Sequence, residues 1–383
     1  MSEVMLNDIC ELIVDCPHTT AVDEGHGYPL VRTPNIGKGR LVYNGMHRVS
    51  EEVYNKRNFR AVPQEDDLIF AREATAGNVA LIQKGEKVCL GQRTVLLRPN
   101  KALVNPTFLT YFLLAPKQQY NLLCTANGAT VAHVNMSTIR NLKLELPHLQ
   151  IQNKIGIILS RYDSLIENYQ KQIKLLEESA QRLYKEWFID LRFPGHENTK
   201  IVNGVPDGWE KKTLDSFCNV FTGKKNANQG VSNGKYKFFT CGDTPLLINS
   251  YIYDGPAIII SGNGSYTGRT TFYEGKFDLY QRTYACSMKD MQDKNLIYGL
   301  FEIVKCELTN KISGGTHGAA IPYIVMSDVT KFDFLYEENI MQRFSSIMHN
   351  ILSESLSLLN QIRHLTEARD RLLPKLMSGE IEV

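Results

Sequence analysis

The sequence predicts an α+β protein in which two similar globular α/β domains are each followed by a long helix. Three observations carry this prediction: an internal repeat, a long helical pattern in the middle of the chain, and a second helical pattern at its end. The two helices are expected to pair antiparallel as a coiled coil. The predicted order is a first domain at 1–147, a helix at 148–192, a linker at 193–205, a second domain at 206–334 and a helix at 335–383.

The internal repeat relates the two halves of the chain. Four segments match in the same order at a shift of 189 or 190 residues, beginning at Gln92 and Gln281, Gly128 and Gly318, Gln152 and Gln342, and Gln172 and Gln361. The earliest residues fit a different shift, 208, which relates Leu6 and Cys10 to Leu214 and Cys218. Such a period is far longer than that of a solenoid repeat, so the duplicated unit is a globular domain with its helix.

Apolar residues spaced three or four positions apart predict both helices. The first seam is Ile151, Ile155, Ile158, Tyr162, Leu165, Tyr169, Ile173, Leu176, Ala180, Leu183 and Trp187. The second helix begins at about Glu337, and Pro374 is expected to end or kink it. Because globular helices average three to four turns, seams of this length favour pairing of the two helices over a core helix. Pairing of a seam with another protein is the remaining alternative.

Short apolar runs predict strands in both domains. These runs are VALIQ from Val79, TVLLRP from Thr94 and LKLELP from Leu142, and then AIIIS from Ala257, TTFYE from Thr270 and FDFLY from Phe332. One short helix, PTFLTYFLL, is expected to open at Pro106, because proline suits the first helical position.

Composition excludes several classes of protein. Hydrophobic residues make up 43% and charged residues 22% of the chain, as in soluble globular proteins, and no apolar run is long enough to cross a bilayer. The start lacks a signal-peptide pattern, so a cytoplasmic location is expected. The eight cysteines form no CxxC pair, which predicts free buried thiols. A net charge of +2 does not by itself indicate a DNA-binding protein.

Sequence patterns that could mark an active site have simpler explanations. NPTF at 105–108 lacks the second proline of an adenine-methyltransferase motif, and a proline at a helix start accounts for it. The glycine-rich segment from Gly262 lacks the lysine-hydroxyl ending of a phosphate-binding loop, and a strand-connecting loop is the better interpretation. The two acids and the lysine at 207–211 are too close together for a nuclease metal site. We therefore expect neither a catalytic residue nor a metal site.

Three stretches resemble the specificity subunits of type I restriction–modification systems. Arg369 to Ile381 is similar to the closing signature of that family, Leu146 to Leu176 to its central helix, and the segment at 206–214 to the opening of its second domain. The resemblance covers the whole chain. One departure is that Leu335-Tyr336 stands where the first copy has Leu146-Pro147, so the entry into the second helix is less typical.

The resemblance implies a non-catalytic reader of double-stranded DNA. Each globular domain would be a target-recognition domain for one half of a bipartite, interrupted site, and the helices would set the spacing and dock two modification subunits. S-adenosylmethionine would be bound by those methyltransferase subunits, and ATP and Mg²⁺ by partner subunits that include a DNA-translocating restriction nuclease; this chain would bind no cofactor. The alternatives are a specificity subunit of another restriction class, or a coiled-coil scaffold that does not read DNA.

Base-reading residues are expected where the two copies differ, because residues shared by both copies cannot make two domains read different sequences. Arginine side chains can hydrogen-bond to guanine edges, and asparagine side chains to adenine edges. For each candidate residue, the alternative interpretation is a solvated surface side chain that does not contact DNA. The first-domain candidates are Arg32, Asn35, Lys38, Arg40, Arg48 and Arg72. The second-domain candidates are Lys224, Lys225, Asn226, Lys235, Lys237, Arg269 and His317. The shared pair, Arg93 and Arg282, is expected to pack strands or contact phosphate.

Overall fold

The computed structural model describes residues 2–124, 133–290, 293–313 and 323–383. The chain forms two compact units. The first unit comprises Met1–Tyr169 together with Gln361–Val383, and the second unit comprises Gln170–Asn360. Each unit therefore holds one globular domain and a part of each long helix.

The first globular domain consists mostly of short strands, with most of its helices late in the domain. Its strands are β1 (Ser2–Met5), β2 (Cys10–Asp15), β3 (Tyr28–Val31), β4 (His47–Val49), β5 (Leu68–Ala71), β6 (Val79–Leu81), β7 (Cys89–Leu90), β8 (Thr94–Pro99) and β9 (Lys143–Leu146). Its helices are α1 (Glu51–Arg57), α2 (Pro106–Leu114), α3 (Pro116–Leu123) and α4 (Met136–Arg140). The strands predicted from VALIQ, TVLLRP and LKLELP are confirmed as β6, β8 and β9, and the helix predicted at Pro106 is α2.

The second globular domain has longer strands and one longer helix. Its strands are β10 (Ile201–Val202), β11 (Val205–Pro206), β12 (Glu210–Thr213), β13 (Cys218–Thr222), β14 (Tyr236–Phe239), β15 (Leu246–Ile248), β16 (Tyr253–Ser261), β17 (Thr270–Leu279), β18 (Thr283–Met288) and β19 (Asp333–Tyr336). Its helices are α6 (Leu214–Phe217), α7 (Leu296–Ser313) and α8 (Met326–Thr330). The three strands predicted for this domain are confirmed as β16, β17 and β19.

The two long helices are also confirmed. Helix α5 spans Leu149–Tyr184 and continues as a π-helical turn at Lys185–Ile189, and helix α9 spans Glu338–Ser378. Pro374 lies inside α9, so of the two predicted outcomes, an end or a kink, the helix end is wrong and the kink stays a prediction. A proline inside a helix removes one backbone hydrogen bond. Leu376 is buried in the core of the first unit, and this packing holds the last turn of α9 in place.

Within the first unit, α5 and α9 pack antiparallel. Arg369 of α9 contacts Asp163 of α5. Leu376, seven residues further along α9, joins the core that contains Ile155 and Leu159, which come before Asp163 in α5. Increasing residue number in one helix thus corresponds to decreasing number in the other.

The seam predicted for α5 is wrong in part of the first unit. Leu165 is 37% exposed, whereas Leu159 and Ile166 are buried. The Tyr111 hydroxyl of α2 contacts Asp163, so the first globular domain covers this side of α5 in addition to α9. The buried face is therefore wider than a coiled-coil seam and is turned toward the domain.

In each domain the opening strand pairs with the closing strand. Strand β1 is antiparallel to β9, with Ser2 opposite Leu146, and β12 is antiparallel to β19, with Glu210 opposite Tyr336. The opening strands are related by the shift of 208 residues and the closing strands by the shift of 190. The two domains thus share one plan, and insertions between these strands account for the change of shift.

The central sheet of the first domain has the strand order β2-β8-β5-β6 and is buried on both faces. Phe70 and Leu97 face the core that includes Phe108 of α2. Ile69 and Leu96 face a second, smaller core. This alternation places a helical layer on one face of the sheet and loops and short strands on the other.

The central sheet of the second domain has the order β13-β18-β16-β17-β14-β15 and the same two-sided burial. Ile258 and Ile260 join the core that includes residues of α7, and Ile259 lies in a separate small core. Lys225, just after β13, forms a bridge with Tyr280, just after β17. Because β13 and β17 are not neighbours in the strand order, this bridge shows that the sheet curls back on itself.

All eight cysteines are free thiols. Cys16, Cys89, Cys218 and Cys286 are buried. The expectation of buried thiols is wrong for Cys124, which is exposed at the end of α3. Among the described residues, no helix combines the length and the hydropathy that a membrane crossing requires.

Candidate nucleic-acid interface

Each domain carries equivalent loops at one end of its central sheet. In the first domain the Arg72 N–H donates to the Arg93 carbonyl at 3.0 Å, and the Val134 N–H donates to the Arg72 carbonyl at 3.0 Å. In the second domain Gly262 donates to Arg282 at 2.9 Å, and Ile324 donates to Gly262 at 2.9 Å. We call these segments, 72–77, 91–93 and 133–134, and 262–268, 280–282 and 323–324, the sheet-end loops. The glycine-rich segment from Gly262 is thus a loop that connects β16 and β17.

In the first domain the sheet-end loops and Asp15 at the end of β2 form a charge network. Arg93 pairs with Glu73 at 2.6 Å, and Glu73 contacts Nδ1 of His133 at 2.6 Å. Arg72 donates to Nε2 of His133 at 2.9 Å and to Asp15 at 2.8 Å. A guanidinium can only donate, so Nε2 accepts and the Nδ1–H of His133 donates to Glu73. Two arginines are therefore balanced by two carboxylates.

Three residues of the first domain that were predicted to contact DNA form hydrogen bonds or ion pairs within the protein. Arg72 is buried and also donates to the Val134 carbonyl at 3.0 Å. Asn35 is buried, and its amide group donates to the Val42 carbonyl at 3.1 Å. Arg40 pairs with Glu167 of α5 at 2.5 Å. These three side chains hold loops and the helix in place, and their contact with DNA stays a prediction.

The other predicted contacts of the first domain are more accessible. Lys38 and Arg48 are exposed, and Arg48 donates to the Gly27 carbonyl at 2.7 Å. Arg32 is half-buried and donates to the Gly45 carbonyl at 2.8 Å. These residues stay predicted DNA contacts.

Two predicted contacts of the second domain are also paired inside the protein. Lys225 contacts Asp278 at 2.5 Å, and Asp278 is fully buried. Arg269 pairs with Asp243 at 2.8 Å and lies over the Tyr266 ring, 4.5 Å from its centroid. A buried carboxylate without its cation is costly, so Lys225 stabilises the fold.

The remaining predicted contacts of the second domain that the structure describes lie on its surface. The exposed ones are Lys224, Asn226, Lys235, Lys237 and Arg282. His317 lies outside the described residues. Lys224, Asn226 and Arg282 come together at the sheet-end loops, because the Gln281 N–H donates to the Lys225 carbonyl at 3.0 Å.

Sequence reasoning missed two features of this surface. Gln281 donates to the Asn226 side chain at 3.1 Å, and both residues are exposed. The repeat contained the signal, since Gln281 precedes Arg282 as Gln92 precedes Arg93. Gly223 is the second feature: a Cβ there would lie 1.7 Å from the Leu279 carbonyl oxygen, so only glycine lets the chain pass so close to the end of β17.

Metal binding has no candidate in the part of the chain that the structure describes. No group of three or more His, Cys, Asp or Glu residues is placed to hold a metal ion there. The cations of the sheet-end loops are instead arginines, Arg72, Arg93 and Arg282, with acids or amides beside them. Such surfaces can hold phosphate and base edges through donated hydrogen bonds.

Comparison with known proteins identifies the family. The profile described as "Type I restriction modification DNA specificity domain" matches residues 1–178 and 206–347. The MjaIX specificity subunit of a type I restriction enzyme from Methanocaldococcus jannaschii is 26% identical over 99% of this chain and 93% of its own. The EcoDI specificity subunit from Escherichia coli is 29% identical over 46% of this chain and 39% of its own.

A solved structure shares the fold. The S subunit of a type I restriction–modification system from M. genitalium has a TM-score of 0.62 and 14% identity, covering 98% of this chain and 95% of that one. Two matches of one family profile along the chain agree with the two domains that the structure shows. The chain therefore belongs to the type I restriction modification DNA specificity family.

Proposed function

We propose that this chain reads DNA for a type I restriction–modification complex, with each globular domain recognising one half of a bipartite site. The observation that carries the proposal is the pair of sheet-end loops, which share backbone hydrogen bonds and differ in side chains. A shared frame gives both domains the same pose on DNA, and different side chains give each its own sequence.

The long helices are proposed to set the distance between the half-sites and to dock two methyltransferase subunits. Each helix exposes large apolar side chains that the chain itself leaves uncovered: Ile151, Ile157, Leu165 and Leu175 on α5, and Ile347, Leu356 and Leu359 on α9. Exposed apolar surface of this kind favours contact with another protein.

The chemistry is proposed to reside in partner subunits. S-adenosylmethionine would bind to the methyltransferase subunits, and ATP and Mg²⁺ to the restriction subunits, so this chain contributes recognition and not catalysis. Isothermal calorimetry on the chain alone is expected to detect no binding of S-adenosylmethionine, whereas the complex with its methyltransferase subunits binds it.

Methylome sequencing of the host with and without this gene tests the proposed function. We expect adenine methylation at one bipartite motif to disappear completely when the gene is deleted and to return on complementation. A methylome that is unchanged by the deletion would exclude DNA reading by this chain and favour a scaffold.

Inserting four helical residues after Tyr169, with a matching insertion between Asn360 and Gln361, is expected to lengthen the spacer of the recognised site. Four residues add about 6 Å, comparable to one or two base-pair steps. The half-sites should stay the same, because both globular domains are unaltered. Methylation mapping of the variant reads both features at once, and altered half-sites would contradict the idea that the helices act as a ruler.

A further inference from the structure

We propose that the turn Gln281-Arg282 of the second domain contacts DNA, with Arg282 binding a backbone phosphate, and that the equivalent turn Gln92-Arg93 of the first domain does not. The inference rests on the proposed DNA-reading function. It adds that the two turns differ in DNA contact although their sequences match.

In the first domain the turn is closed by contacts within the protein. The Gln92 amide accepts from the Thr20 hydroxyl at 3.1 Å and donates to the His18 carbonyl at 2.9 Å. Arg93 pairs with Glu73 at 2.6 Å, although its side chain is 58% exposed. Both side chains of this turn therefore have partners within the protein. A phosphate would have to compete with the Glu73 carboxylate for Arg93.

In the second domain the same turn is open. The side-chain amide of Gln281 donates to the side chain of Asn226, which is itself exposed. Arg282 is exposed, and its guanidinium has no hydrogen-bond or ion-pair partner among the described residues. Asn263 stands where the first domain has Glu73, since the two residues follow the equivalent positions Gly262 and Arg72. The position of the carboxylate that neutralises Arg93 is thus occupied in the second domain by the neutral amide of Asn263.

A second cation lies beside Arg282. Strand β13 ends at Thr222, and beyond it the Gln281 N–H donates to the Lys225 carbonyl at 3.0 Å, so Lys224 lies next to the turn that carries Arg282. Lys224 is exposed. In the first domain the residue two positions after β2 is the uncharged Pro17. An anion bound near both cations would lower the repulsion between them.

Two acids near this turn are already paired with other cations. Asp278 is fully buried against Lys225, and Asp243 pairs with Arg269. Lys224 and Arg282 are left without a carboxylate among the described residues. A phosphate is the favoured ligand for Arg282 because an arginine shared by both copies cannot by itself give the two domains different sequences.

The test compares Arg282→Ala with Arg93→Ala in the complex assembled with its methyltransferase subunits. Binding is measured by fluorescence anisotropy at several salt concentrations, on a duplex carrying the motif mapped by methylome sequencing. Arg282→Ala is expected to weaken binding by about tenfold and to reduce the slope of log K against log salt by about 1. Arg93→Ala should stay within about twofold of the unsubstituted complex and keep its slope.

A carboxylate graft provides an independent variant. Asn263→Glu copies Glu73 into the second domain and is expected to reproduce the loss and the smaller salt slope of Arg282→Ala. Asn263→Gln is the matched neutral control and should bind as the unsubstituted complex does. Arg282→Lys keeps the charge and should retain most of the affinity.

Three results would overturn the proposal: equal losses for both alanine variants, unchanged binding for Arg282→Ala and Asn263→Glu, or relaxed preference at a single base pair in place of a uniform loss. If the unsubstituted complex binds and methylates without sequence preference, the proposed DNA-reading function fails instead. The two failures are therefore distinguishable.

Discussion

Replacing Asp163 by alanine is expected to lower the free energy of unfolding of the first unit by about 3–5 kcal/mol. Asp163 is 3% exposed, accepts from the Tyr111 hydroxyl at 2.5 Å and pairs with Arg369 at 2.6 Å. Burial lowers the pKa of Arg369, but the hydrogen bond and charge of Asp163 outweigh it and raise the pKa above its ordinary value. Alanine would leave this half-buried cation without its main partner.

Hydrogen exchange read by mass spectrometry resolves the two units and measures this loss. The matched control is Asp370→Ala, which removes the other carboxylate that contacts Arg369. Asp370 is 55% exposed, so its loss should cost less than about 1 kcal/mol. A double replacement, Asp163→Leu with Arg369→Met, should recover much of the stability, because apolar residues remove the desolvation cost of the pair. Similar protection of the first unit from hydrogen exchange in Asp163→Ala and Asp370→Ala would contradict the conclusion that Asp163 is the main partner of Arg369.

Replacing Phe344 by alanine is expected to destabilise the second unit by about 3–5 kcal/mol. Phe344 is fully buried, with its ring centroid 5.0 Å from that of Phe188 and 5.8 Å from that of Trp187. Truncation would leave a cavity where α9 meets the end of α5. Trp187 and Trp209 are the two tryptophans of the chain, and both lie in this core. Tryptophan fluorescence during urea unfolding therefore reports on the second unit.

Ile347→Ala is the matched control on the same helix. Ile347 is 37% exposed, so its truncation should change stability by less than about 1 kcal/mol. A fluorescence transition that moves equally in both variants would show that Phe344 does not carry the core of the second unit.

Periodicity and the repeat predicted the long helices, the strands and the duplication, because those patterns are local or recur in the chain. Pro374 is a position at which a local sequence signal gave the wrong helix end. Its propensity argues for a helix end, but the burial of Leu376 and the pairing of Arg369 are tertiary contacts that outweigh it.

The individual contacts of the candidate site could not be predicted in the same way. Arg72 looks like a free cation in the sequence, yet Asp15 lies against it from 57 residues away in the chain. Lys225 likewise reaches the buried Asp278. The sequence does not show which arginines and lysines are neutralised by acids that are distant in the chain. Paired and unpaired cations can therefore be told apart only when the fold is known.

The division of the long helices between the two units has a consequence for the order of folding during synthesis. The second unit is one continuous segment, Gln170–Asn360, whereas the first needs residues from both ends of the chain. A ribosome that has released residue 360 has supplied everything the second unit contains, while the first still lacks Arg369 and Leu376. The globular domain made first is therefore completed last, and an abbreviated C-terminus would leave its core open beside α5.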